Sequence, residues 1–172
     1  MNYKAFLKIG YGMYIVSSKS GEKYNGQIAN AVMQVSAEPP TFAIGINKNN
    51  LTHKYIIDSK YFSVSILSEE TDMKFIGKFG FKSGRDNDKF ADVDFEVSEN
   101  KIPAILEKSV AYFICKVIDE VDVGSHTLFI GEAVETKILN DKTPLTYKYY
   151  HEVLKGKSPK SAPTFIKKEN LN

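Results

Sequence analysis

Residues 109–139 contain two long extended runs, about Ser109–Val121 and His126–Leu139, joined by Val123-Gly124-Ser125. Strands of that length joined by a short glycine-bearing turn fold back on each other and commit the chain to an antiparallel sheet. The rest of the sequence agrees. Tyr11–Ser17 is β-rich and runs on to the turn-forming Ser20-Gly21-Glu22. A second extended segment spans Lys23 to about Ala37 and stops at Pro39-Pro40; a third, Thr41–Ile46, enters the polar cluster Asn47-Lys48-Asn49-Asn50. Tyr61–Leu67 alternates as a strand. Two short helices are predicted: Leu51–Ser59 with Asn50 as its cap, and Glu69–Phe79 with Met73, Ile76 and Phe79 on one face and acids in the first turn. Gly80–Glu99 is polar and irregular. Strands outnumber helices and follow one another through turns. This predicts a mainly β fold, a Greek-key or meander barrel with a few short helices, and not a doubly wound parallel sheet.

Composition narrows the function. The net charge of the 172 residues is only +2, and Lys and Arg are spread along the chain, so no nucleic-acid groove is expected. A single cysteine, Cys115, excludes an internal disulfide, a cysteine-ligated zinc site and an iron–sulfur or rubredoxin centre in these residues. It sits in the apolar run Ala111–Cys115 and reads as a buried, inert thiol. His53, His126 and His151 lack metal-ligand spacing, so no metal site is expected. The N-terminus has no apolar signal region and no stretch is long enough to cross a bilayer, so the expectation is a cytoplasmic protein without membrane contact. No repeat or linker divides the chain, which predicts one domain over 1–172. Its tail, from about 147 to 172, mixes aromatics with prolines and is expected to pack on the barrel or on a second subunit.

Two segments carry candidate chemistry. In Ile28–Ala37, strand alternation puts Asn30, Gln34 and Ser36 on one face and Ala29, Ala31, Met33 and Val35 on the other. Small residues with amides and a hydroxyl suit a flat heteroaromatic ligand, although a half-solvated strand gives the same pattern. The strand-to-helix junction Asn47–Thr52 offers free N–H groups, the positive helix end and Asn, Lys and Thr side chains to a phosphate; an ordinary Asn cap would look alike. Gly10-Tyr11-Gly12 and Gly77…Gly80…Gly84 match neither a dinucleotide fingerprint nor a P-loop. His126 opens a strand after a turn, where it can donate to a ligand or simply face solvent.

Taken in order, Asn25–Ser36, Pro39-Pro40, Ile46–Thr52, Gly124–Glu132 and Lys155–Phe165 resemble the flavin reductase-like family of FMN-binding split barrels. The resemblance implies a homodimer with one FMN per subunit and NADH or NADPH as electron donor. It sets Asn30, Ala31, Val32, Met33, Gln34, Ser36 and Ala37 beside the flavin ring, and Asn47, Lys48, Asn50 and Thr52 at its phosphate. It brings Lys89 toward the flavin, His126 to the nicotinamide side as the catalytic residue, and Phe165 over the ring. Ser125 stands where relatives often carry an acid, which bears on the orientation of His126. The longest look-alikes run on into a rubredoxin module, so this chain is expected to pass electrons to a separate acceptor such as a rubredoxin. A flavoredoxin-like carrier, holding FMN permanently and reduced by a protein partner, is the alternative.

Overall fold

The computed structural model describes residues 1–167 and 169. A 3-10 turn at Tyr3–Lys8 precedes β1 (Tyr14–Ser20), β2 (Lys23–Ala29), β3 (Val32–Ala37) and β4 (Pro40–Asn47). Then come α1 (Leu51–Ser59), β5 (Tyr61–Leu67), α2 (Met73–Gly80), β6 (Phe95–Val97) and β7 (Pro103–Ile105). The long pair β8 (Ser109–Asp122) and β9 (His126–Ile138) and the short helix α3 (Tyr147–Glu152) complete the order.

Seven strands form one antiparallel sheet in the order β2-β1-β5-β8-β9-β4-β3; β6 and β7 form a separate hairpin. The expected β8–β9 hairpin is the backbone of this sheet, paired from Ala111↔Ile138 to Asp122↔Thr127. Strands β2 and β3 lie at opposite edges, yet only Asn30 and Ala31 separate them in sequence. A two-residue connection spans at most about 10 Å, so the two edges must approach each other at that end. The sheet therefore curls into a barrel with a seam between β2 and β3, the mainly β split-barrel architecture expected.

That seam corrects one sequence expectation. The extended run from Lys23 to Ala37 is two strands, not one, and a bulge between Gln34 and Ser36 breaks β3 again. Strict alternation does not survive a crossover and a bulge. Asn30 is buried, while Gln34 is exposed and donates to the Ser36 carbonyl at 3.1 Å.

Apolar residues inside the curl, including Val16, Ile44, Phe62, Phe113 and Phe129, form the barrel core, which Ile56 of α1 closes. A second core lies under α2, where Phe75, Ile76 and Phe79 pack with Met13, Leu67, Ile105 and Tyr150. α2 begins four residues later than expected because Asp72 caps it, accepting from the Phe75 N–H at 2.8 Å. Met73 is consequently exposed, and Phe75 takes its place on the buried face. Among the described residues no helix is long and apolar enough to cross a membrane, and no cluster of His, Cys, Asp or Glu could hold a metal.

Candidate functional site

A cavity of about 260 Å³ opens at the end of the barrel seam. Its walls come from β2 (Asn25, Gln27), the crossover (Asn30), the end of β4 (Asn47), the start of α1 (Asn50, Leu51, Thr52) and the start of β9 (His126). The segment after α2 (Phe81–Arg85), Lys89, α3 (Tyr147, Tyr150) and tail residues Lys157, Pro159 and Ser161–Pro163 complete it.

Local structure explains each placement. Asn47 and His126 are opposite each other in the β4–β9 ladder, which brings both side chains to one end of the barrel. The α1 start presents unpaired N–H groups, because its cap Asn50 makes no side-chain bond to the helix. Asn50 instead donates to Gln27 Oε1 at 3.0 Å, and Thr52 Oγ1, fully buried, accepts from Asn25 Nδ2 at 2.8 Å. These bonds tie the helix start to β2. Gly84 lies so close that a Cβ would stand 1.9 Å from Asn25 Oδ1, so only glycine lets the loop pass there. Arg85 then donates from Nη2 to the Asn49 carbonyl at 3.1 Å and draws the loop over the helix start.

Lys89 is buried, and its Nζ donates to the carbonyls of Gly26 at 3.0 Å and Phe79 at 3.1 Å. Burial pulls its amine down to about 8. At neutral pH it still carries a positive charge beside the cavity. His126 Nδ1 lies 2.9 Å from Ser125 Oγ. The hydroxyl can donate to Nδ1 and leave the proton on Nε2, the opposite tautomer to the one a carboxylate would select by accepting from Nδ1–H. Nε2 is itself buried and has no hydrogen-bond partner among the described residues. Such an orphan is costly unless something in the cavity completes it.

The tail closes one side. Thr164 Oγ1 accepts from Asn30 Nδ2 at 3.0 Å and donates to Tyr147 Oη at 3.1 Å; the Ser161 carbonyl accepts from Asn47 Nδ2 at 3.4 Å. Gly156 packs flat on the Tyr150 ring, where a Cβ would come within 2.0 Å of Cζ. Its N–H donates to the Tyr150 carbonyl, and its carbonyl lies 2.8 Å from His151 Nδ1.

Of the residues singled out from the sequence, Asn30, Asn47, Asn50, Thr52, Lys89 and His126 line this cavity. Ala31, Val32, Met33, Gln34, Ser36, Ala37, Lys48 and Phe165 do not. Ala31 continues the crossover, its carbonyl accepting from the Gly45 N–H. Lys48 instead pairs with Asp122 at 2.6 Å, and Val32–Ala37 lie on the β3 edge, Met33 60% exposed. Asn25, Gln27, Lys82, Ser83, Arg85, Tyr147 and Tyr150 line the cavity without having been assigned a role. Asn25 and Gln27 stood within the family-like run; the loop residues had no local pattern, because only the fold carries that loop to α1.

The flavin reductase-like domain model matches residues 6–154. The chain belongs to this family. Among its relatives, a high molecular weight rubredoxin of Moorella thermoacetica is 44% identical over 96% of this chain and 72% of its own length. A ferric-chelate reductase (NAD(P)H) of Archaeoglobus fulgidus is 43% identical over 96% of this chain and 98% of its own. The NADH:FAD oxidoreductase of Streptomyces globisporus superposes with a TM-score of 0.75 at 25% identity, covering 83% of this chain and 84% of that one. This chain is thus an oxidoreductase of the flavin reductase-like type. The tail that walls its cavity lies beyond the span the family model matches.

Proposed function

We propose that this protein is an NAD(P)H-dependent flavin oxidoreductase that binds FMN in the seam cavity and hands electrons to a separate acceptor such as a rubredoxin. The observation that carries this reading is the meeting of Asn30, Asn47, Asn50, Thr52, Lys89 and His126 in one cavity of a flavin reductase-like chain.

The donor set fits FMN. The uncapped start of α1, with Ser83 and Arg85 above it, suits a phosphate. Asn30 and Asn47 offer amide groups to a heteroaromatic edge, and the orphaned His126 Nε2 awaits a partner. Flavin held by these residues would supply hydride acceptance and electron release, chemistry no side chain here supplies. The residues bind, orient and exclude water. Lys89 supplies positive charge that favours added electron density, Ser125 holds the His126 ring, and the tail shields one side. The cavity falls just below the range of roughly 300–1,000 Å³ usual for ligand clefts, because the tail fills one side; a ligand that displaces the Asn30 and Asn47 contacts enlarges it.

The whole chain acts as one flavin-binding domain and as a homodimer in this reading. Val32–Ala37, Lys48 and Phe165 reach flavin only in that assembly or after the tail moves. Recording the visible spectrum of the purified protein, then adding NADH and NADPH separately without oxygen, tests the proposal. Rapid bleaching of a yellow protein by either nucleotide is expected. A yellow protein inert to both is a flavoredoxin-like carrier instead, and failure to take up FMN overturns the reading.

A further inference from the structure

Beside the seam cavity lies a second, larger one of about 660 Å³, near the middle of the range for small-molecule sites. The two share Gly84 and Arg85, so a single pair of residues divides them. Gly84 is also the residue pressed against Asn25 and the first residue of α1, so the divider sits at the proposed phosphate position. Because both cavities are lined by Gly84 and Arg85, a group attached to a phosphate bound there has the second cavity within reach.

The second cavity has the chemistry of an adenosine site. One wall is aromatic: Tyr24, Phe90 and Phe95 pack tilted or edge-on with ring centroids 5.0–5.8 Å apart, Phe90 and Tyr55 of α1 buried behind the half-buried rings of Tyr24 and Phe95. The parts of Tyr24 and Phe95 that remain open suit a purine, which stacks on aromatic rings. The rim carries Lys23 and Arg85, neither in an ion pair among the described residues. It also carries the carboxylates of Glu22, Asp86 and Asp88. Carboxylates accept hydrogen bonds from the ribose 2′- and 3′-hydroxyls and repel a 2′-phosphate. The seam cavity has no comparable set of acids; its rim is cationic, with Lys82, Arg85 and Lys157.

We propose that the second cavity binds the 5′-adenylate half of a dinucleotide whose other half occupies the seam cavity, and that it selects adenosine with a free 2′-hydroxyl. Two dinucleotides offer that chemistry, FAD and NADH. The inference rests on flavin binding in the seam cavity for its geometry, yet the groove can be probed alone.

The probes are FMN, FAD, 5′-AMP and adenosine 2′,5′-bisphosphate, titrated into the full chain by calorimetry and flavin fluorescence. Ala91 lines the groove and is exposed, so Ala91→Trp fills it, with Ala91→Ser as control. In the native protein 5′-AMP binds at least fivefold more tightly than the 2′,5′-bisphosphate; absence of 5′-AMP binding overturns the proposal whether or not FMN binds. If FAD is the source, it binds about tenfold more tightly than FMN, 5′-AMP competes with FAD but not FMN, and Ala91→Trp erases the FAD advantage while FMN affinity stays within twofold. If NADH is the source, Ala91→Trp raises the KM for NADH severalfold at saturating FMN and leaves both flavin affinities alone. Equal FAD and FMN affinities with an unchanged NADH KM in Ala91→Trp overturn it. Failure of FMN to bind the native chain, with 5′-AMP still bound, removes the flavin reading and leaves the adenylate site standing.

Discussion

The Asn25–Thr52 hydrogen bond is the smallest feature on which the site depends. It is buried, and it fixes the start of α1 to β2, the two elements that would face the phosphate in the proposed site. Thr52→Val keeps the volume but strands the Asn25 amide, a loss of about 1–3 kcal/mol. FMN affinity should fall about tenfold while the far-UV circular dichroism stays unchanged; an unaltered dissociation constant removes Thr52 from the phosphate site. Lys89 makes a second residue-scale prediction. Its amine ionises at about 8 in the folded chain against 10.5 for a free lysine, because burial disfavours the ammonium. The unfolded state therefore holds more protons than the folded one between these values, and stability rises with pH across that window. Below pH 8 the full cost is present, about 3 kcal/mol; above 10.5 it has gone. Urea unfolding of the native protein and Lys89→Met should show the native protein gaining on the variant from pH 8 to 10.5. A constant difference would mean that the Gly26 and Phe79 carbonyls hold the ammonium as well as water does.

At the scale of elements, the tail segment 156–165 is held by contacts that leave no slack. Gly156 lies on the Tyr150 ring, Lys157 N–H donates to Tyr150 Oη at 3.1 Å, and Thr164 links Tyr147 to Asn30. A methyl group at position 156 meets the ring at 2.0 Å, and the strap must lift. Gly156→Ala should therefore speed FMN release about tenfold in stopped-flow displacement, with a small drop in Tm; an unchanged release rate would show that the strap does not cover the ligand. How much was legible in sequence also follows element by element. Tyr61–Leu67 and Leu51–Ser59 were read to the residue, and β8 and β9 to within one, because each has its own periodicity and terminators. The break at Asn30-Ala31 was not, since a crossover between sheet edges needs no glycine or proline when both sides stay extended. The strands β6 and β7, only three residues each, lack a readable period. The loop 81–85 gained its place in the site from Gly84 packing on Asn25, a contact between residues 59 apart in sequence.

At the scale of the whole molecule, the curled sheet leaves apolar side chains exposed on several of its strands. Strand β3 is an edge strand, and its Met33 and Val35 are 60% and 49% exposed; Ile118 and Val134 on β8 and β9 are 54% and 47% exposed. An uncovered edge bearing apolar side chains is a template for association, and proteins that stay monomeric usually guard it with charge or proline. Here Pro39-Pro40 guards only the turn at its far end. The same strand carries Val32, Met33, Gln34, Ser36 and Ala37, which the family resemblance sets beside flavin but which lie outside the cavity of a single chain. A homodimer that buries β3 accounts for both facts together, by covering the apolar edge and bringing that strand to a flavin held between subunits. Light scattering should then give twice the 19.3 kDa chain mass. Met33→Glu, which places a charge at the centre of the edge, should shift the protein to monomer and weaken FMN binding in parallel, with the far-UV spectrum retained. A monomeric native protein that binds FMN fully would break the link, and β3 would then be a solvent-facing strand with no part in the flavin site.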